Sequence, residues 1–104
     1  MIKITFVEHD GEFASLEVKG HAGNGPYGHD LVCAAVSGII LGGLNNLTDG
    51  DLKYKHEVKE GYVSLEALER VSEHDKIVLE TIERQLESIA SSYPKNAKLE
   101  RKHK

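Results

Sequence analysis

The residue types able to do chemistry are concentrated between His21 and Ser37. This stretch holds two histidines, an aspartate and the single cysteine of the chain, Cys33, among several glycines. A cysteine attacks as its thiolate, so its surroundings decide whether it is a nucleophile. Asp30 is a favoured helix N-cap, because its side-chain oxygen accepts an unpartnered N–H of the first turn. An apolar run begins immediately after it. Cys33 is then the third helical residue, where unpartnered N–H groups and the positive end of the macrodipole favour an anion. That field is expected to pull the thiol below its free value of about 8.5. His21 lies 12 positions earlier, beyond a strand end. An imidazole titrates near neutrality, so it can pair with a thiol and later protonate a leaving amine. The pair must approach to roughly 3–4 Å.

Each of these residues also has a plainer reading. A lone cysteine is usually a small buried side chain filling a gap. His21 can be a polar loop histidine that caps carbonyls. Asp30 can orient His21, but the helix-cap role explains it equally well and is preferred. Ser37 follows Cys33 by one turn on the same face; it either hydrogen-bonds near the sulfur or bonds back into the helix. The loop containing Gly23, Gly25, Tyr27 and Gly28 is either a lid that closes over substrate or a plain connection, with Tyr27 a substrate contact or a surface residue. It is not a phosphate-binding P-loop: the lysine and Ser/Thr spacing is missing, and Pro26 removes one N–H. His29 reads as solvated. His21, His29, Asp30 and Cys33 match no standard zinc spacing, which makes a metal-dependent hydrolase the weakest reading. No metal and no cofactor is expected.

The whole chain limits the choices further. Its 104 residues suit one domain with one core. The formal net charge of -4, from 13 basic and 17 acidic side chains, argues against direct nucleic-acid binding and suits a basic protein partner. One cysteine makes no intrachain disulfide. The opening residues Met1-Ile2-Lys3-Ile4-Thr5-Phe6 are not a signal peptide. The longest charge-free stretch, Leu31 to Thr48, contains Ser37, three glycines and two asparagines. It reads as a buried helix, not a membrane span. A cytoplasmic protein without membrane contact is expected.

Periodicity sets out the elements that must position the site. Ile2, Ile4 and Phe6 alternate with polar residues, as do Ala14, Leu16 and Val18; Asp10-Gly11 turns between them. This is a hairpin. Leu31 to Leu44 is apolar nearly all round and predicts a helix buried on most sides, with Gly38 and Gly42 allowing another backbone to approach. Leu52, Tyr54 and His56, then Val63, Leu65 and Ala67, give a second hairpin turning at Glu60-Gly61. Ser72 and Asp75 resemble a capping box. Val78, Ile82, Leu86, Ile89 and Tyr93 follow at helical spacing until Pro94. The order ββαββα predicts an α/β (α+β) two-layer sandwich, with a largely antiparallel four-stranded sheet and two helices. One domain over 1–94 and a frayed polar tail over 95–104 complete the expectation.

Gly20-His21-Ala22-Gly23, followed by Gly28-His29-Asp30-Leu31-Val32-Cys33-Ala34-Ala35-Val36-Ser37, resembles the signature of the ribosomal-processing cysteine protease Prp family. Chain length and element order agree, and the resemblance extends to Tyr93-Pro94. It implies a cysteine endopeptidase that removes the short N-terminal extension of a large-subunit ribosomal protein whose mature N-terminus reaches the peptidyl-transferase centre. It implies a catalytic dyad of His21 and Cys33, with Asp30 and Ser37 at signature positions of less defined role. It also implies a homodimer and a loop between His21 and Cys33 that moves when substrate binds. Backbone N–H groups at the helix start would then stabilise the oxyanion. A noncatalytic ribosome-associated peptide-binding or assembly module is the alternative.

Overall fold

The computed structural model describes residues 1–20, 30–48 and 53–104. Among them the elements run β1 (Ile2–His9), β2 (Glu12–Lys19), α1 (Leu31–Leu44), β3 (Tyr54–Lys59), β4 (Tyr62–Ala67), α2 (Glu73–Ser92) and β5 (Ala97–His103). The first hairpin follows directly from its sequence. Ile2, Ile4 and Phe6 point into the core, and Ile4 and Phe6 sit opposite the buried Val18 and Leu16 of β2. Asp10 and Gly11 both take positive φ, 51° and 79°. A two-residue turn of that kind matches the right-handed twist of the flanking strands. The second hairpin, β3–β4, joins the first through antiparallel pairing of β4 with β2.

The sheet departs from expectation at its far edge. It has five strands in the order β3-β4-β2-β1-β5, not four, and it is mixed. Residues expected to fray as a polar tail form β5, parallel to β1 with Ala97 opposite Ile2 and Leu99 opposite Ile4. Only Ala97 and Leu99 contribute inward apolar surface, so the strand is nearly invisible as a hydrophobic pattern. Backbone pairing to β1 supplies the rest. Arg101 adds contacts to Glu83 and Glu87 of α2, with its Nε 2.6 Å from Glu83.

Both helices bury a stripe in the core shared with the sheet. On α1 the stripe is Val32, Val36 and Ile40, one residue per turn. The helix is therefore not buried on most sides: Leu31 is 73% exposed and Leu41 is 47% exposed. Nor are Gly38 and Gly42 the points of close approach. A Cβ at either would meet nothing within 4 Å. Gly43 has that role, since a Cβ there would come 2.5 Å from the side chain of buried Ile82 on α2. The buried stripe of α2 is Asp75, Leu79, Ile82 and Leu86. Tyr93, expected on that stripe, is exposed.

Candidate active site at the start of α1

Asp30 caps α1 as its residue type predicts. Its backbone is extended, and its Oδ1 accepts a hydrogen bond from Cys33 N at 3.0 Å. Its carbonyl accepts from Ala34 N at 3.1 Å. Cys33 thus occupies the first turn, where the partial positive charge of the helix is concentrated. Both of these N–H groups are engaged in this conformation, so neither is poised to receive an oxyanion.

The Cys33 thiol forms no disulfide and is of intermediate exposure. It is neither sealed in the core nor fully in solvent. It lines a cavity of about 310 Å³ together with Gly20, Val36, Ser37 and the β3–β4 turn from Lys59 to Tyr62. Cys33 and Ser37, one turn apart, therefore open onto the same space, and Ser37 is exposed there. The structure does bring together this pair and the Asp30 cap. His21 and His29, and the loop residues Gly23, Gly25, Tyr27 and Gly28, lie outside the described residues.

Two parts of this cavity carry no signal in a search for chemistry. The first is Gly20. Its φ is +100°, and a Cβ on it would meet the Met1 carbonyl oxygen at 2.3 Å. Its N–H donates to the Gly61 carbonyl at 2.9 Å, tying the end of β2 to the turn of the second hairpin. Glycine is thus required twice over, by the backbone conformation and by the close carbonyl. The second is that turn itself. The Lys59 ammonium lies 5.4 Å from the Tyr62 ring centroid, and the Tyr62 hydroxyl donates to Glu17 at 3.2 Å. Nothing in the sequence marks a hairpin turn 26 or more residues beyond Cys33 as its neighbour.

Comparison with known proteins decides the family. The profile described as cysteine protease Prp matches residues 1–98. This chain belongs to the cysteine protease Prp family. The ribosomal processing cysteine protease Prp of Mycoplasma pneumoniae is 34% identical over 96 residues, spanning 90% of this chain and 88% of that protein. The Prp of Staphylococcus aureus is 27% identical over 96 residues, spanning 89% and 91%. The crystal structure of the S. aureus protease with a covalently linked product peptide superposes with a TM-score of 0.89 at 27% identity, covering 98% of this chain and all of that one. Its complex with a substrate peptide gives 0.78. The chain is accordingly a cysteine protease, and the five-stranded mixed sheet with two helices matches the Prp fold.

One further cluster in this Prp fold ties the segment after α1 to β3 and α2, away from Cys33. Asp75 is 1% exposed, the only buried charged residue among those described. Its Oδ1 accepts from Thr48 N and Thr48 Oγ1, both at 3.0 Å, and its Oδ2 accepts from the Tyr54 hydroxyl at 2.7 Å. His74 Nδ1 is 2.9 Å from Oδ1; a carboxylate only accepts, so Nδ1 carries the proton. Burial pushes the Asp75 carboxyl up, but the hydrogen bonds from His74, Thr48 and Tyr54 outweigh it and hold the group at about 2. Burial, then the bond to Asp75, raises the Tyr54 hydroxyl, which stays a donor. Half of the capping box is realised: Asp75 N donates to Ser72 Oγ at 3.1 Å. The Asp75 carboxylate turns inward instead, fastening the segment after α1 and the start of β3 to α2.

Proposed function

We propose that Cys33 is the nucleophile and His21 its general base, in a protease that removes the short N-terminal extension of a large-subunit ribosomal protein during ribosome maturation. The carrying observation is a partly buried thiol in the first turn of a capped helix, opening on a cavity, in a chain of the Prp family. Its relatives in S. aureus and M. pneumoniae are ribosomal processing proteases, and the S. aureus one is known bound to substrate and product peptides. What supports His21 is covalent connection: it follows Gly20, and Gly20 lines the cavity that Cys33 lines.

The chemistry follows from the parts. His21 takes the Cys33 proton, and the thiolate attacks the scissile carbonyl carbon to give a tetrahedral oxyanion. Collapse breaks the C–N bond while the imidazolium of His21 protonates the departing amine. A water, deprotonated by His21, then cleaves the thioester and frees the carboxylate product. With Cys33 N and Ala34 N already bonded to Asp30, holding the oxyanion needs N–H donors other than these two. Asp30 acts by holding the helix start, and Ser37 by lining the cavity beside the sulfur. The loop of Gly23, Gly25, Tyr27 and Gly28 is the segment that closes over the peptide.

The finer assignments belong to the same reading. The protein works in the cytoplasm, where ribosomes mature, without contacting nucleic acid or membrane itself. No helix among the described residues is long and apolar enough to cross a membrane. A net charge of -4 suits a basic ribosomal substrate. The protease domain takes in β5 as well, beyond the expected boundary at residue 94, because that strand completes the sheet beside β1. A second copy packs against the groove between α1 and α2, about 710 Å³, where Ala34, Gly38 and Gly42 leave an open small-residue floor and Ile77 is 62% exposed. The function is tested by incubating the full-length chain with the extended ribosomal protein and following product size. The expected result is loss of the N-terminal extension; an unchanged substrate would overturn the reading.

A further inference from the structure

The cavity at Cys33 does not end with the site chemistry. A second cavity of about 280 Å³ lies farther along α1, and Leu41 and Val58 line both. Its walls are Leu44 and Leu47 at the end of α1 and just after it, facing Tyr54, His56 and Val58 of β3. These three alternate along β3, so they share the helix-facing side of the sheet. β3 is the outer strand on that side of the sheet. Helix α1 therefore does not fully cover it. Val58 is 51% exposed and Leu41 is 47% exposed, although both face the apolar layer. The Asp75 cluster fixes this end: Thr48 and Tyr54, which it fastens, flank or line the second cavity.

We infer that the second cavity is a distal specificity subsite of the protease, which receives an apolar side chain of the extended substrate about five residues from the cleaved bond. The inference rests on the protease reading above and deepens it. The occupant follows from continuity: the cavity shares two walls with the one that holds the proposed nucleophile, so a peptide lying over Cys33 and running along α1 enters it. The spacing follows from geometry. Cys33 and Leu44 are eleven residues apart on one helix, about 16 Å at a helical rise of about 1.5 Å per residue. An extended peptide advances about 3.3 Å per residue, hence about five positions. The side chain's class follows from the lining, which is four leucines and a valine with Tyr54, while the polar Asn45 and His56 are exposed at its edge. Positions near the cleaved bond are read at Cys33, and this cavity adds a second reading point that lengthens the recognised sequence.

The test compares two synthetic peptides spanning the processed junction, one reaching three residues to each side of the cleaved bond and one reaching seven. Wild-type protein is expected to cut the long peptide with a KM at least tenfold lower than the short one and a similar kcat. His56→Trp and Asn45→Trp each fill the distal cavity from a different wall, at exposed positions outside the catalytic machinery. Each is expected to raise the long peptide's KM toward the short peptide's value and to leave the short peptide's kinetics unchanged. In a long peptide that carries an apolar residue about five positions from the bond, replacing that residue by aspartate is expected to do the same to wild type. Equal KM values for both peptides on wild type overturn the subsite while leaving the protease reading intact. So does a filled variant that weakens both peptides equally. Failure of wild type to cut either peptide, or the whole extended ribosomal protein, overturns the protease reading and the subsite with it.

Discussion

At the residue scale, the proposed reactivity rests on a sulfur at the amino end of α1 and on the aspartate that caps that end. Asp30 is an N-cap by geometry, so its loss has a definite cost. Asp30→Ala is expected to lower unfolding stability by about 1 kcal/mol, and Asp30→Ser to restore most of it; urea denaturation of both variants checks this. A cap serine that restores both stability and cleavage would mark Asp30 as a positioning residue only. Asp75 predicts a pH dependence. Its carboxyl sits at about 2 in the fold against an ordinary 3.8. A depressed carboxyl contributes stability that is fully present above about 4 and is lost as the pH falls toward about 2. The size is on the order of 2 kcal/mol. Asp75→Asn is expected to flatten this acid limb and to destabilise the fold at neutral pH, because donors on Thr48, Tyr54 and His74 lose a charged acceptor. Acid titration of the far-UV circular dichroism of both proteins measures the difference.

At the element scale, residue patterns predicted some features and concealed others for physical reasons. The Asp10-Gly11 turn, the Asp30 cap, the Ser72 cap and both hairpins were legible because local chemistry determines them. The fifth strand was not, because β5 is an edge strand held by backbone pairing, and Ala97 and Leu99 alone give too little alternation to detect. The exposure of α1 was also hidden. An apolar run shows that a helix can be buried, not which of its faces the remaining chain covers. Asp75 read as half of a capping box, since nothing local signals partners 21 and 27 residues away. The Cys33 side of the site was legible from the helix cap. The β3–β4 turn opposite it was not, because only sheet order brings it there. Glycines are tested at this scale. Gly43→Ala places a methyl against Ile82 and is expected to cost about 1–3 kcal/mol through overpacking of α1 on α2. Gly38→Ala, with open space around it, should be neutral or slightly stabilising in the monomer. Thermal unfolding of the pair separates the two positions, and equal effects would contradict the assignment of Gly43 as the contact glycine.

At the scale of the whole molecule, one sheet connects the two ends of the chain and carries the site near its opposite side. Removing residues 97–104 would leave the β1 edge without its parallel partner. The truncated chain is expected to unfold at clearly lower urea than the full chain. The proposed dimer contact through the α1–α2 groove is tested at the same scale. Gly38→Arg is expected to shift the protein from dimer to monomer in sedimentation equilibrium, and an unchanged mass would rule that groove out as the contact. Proteolysis is the third, since it draws on the helix, the second hairpin and the substrate together. Its most direct measurement is cleavage of the extended ribosomal protein by purified full-length chain and by Cys33→Ala, with circular dichroism confirming that both are folded. Loss of the N-terminal extension with the native protein, and an intact substrate with the folded Cys33→Ala protein, is the predicted result. Processing that continues without the sulfur would contradict it.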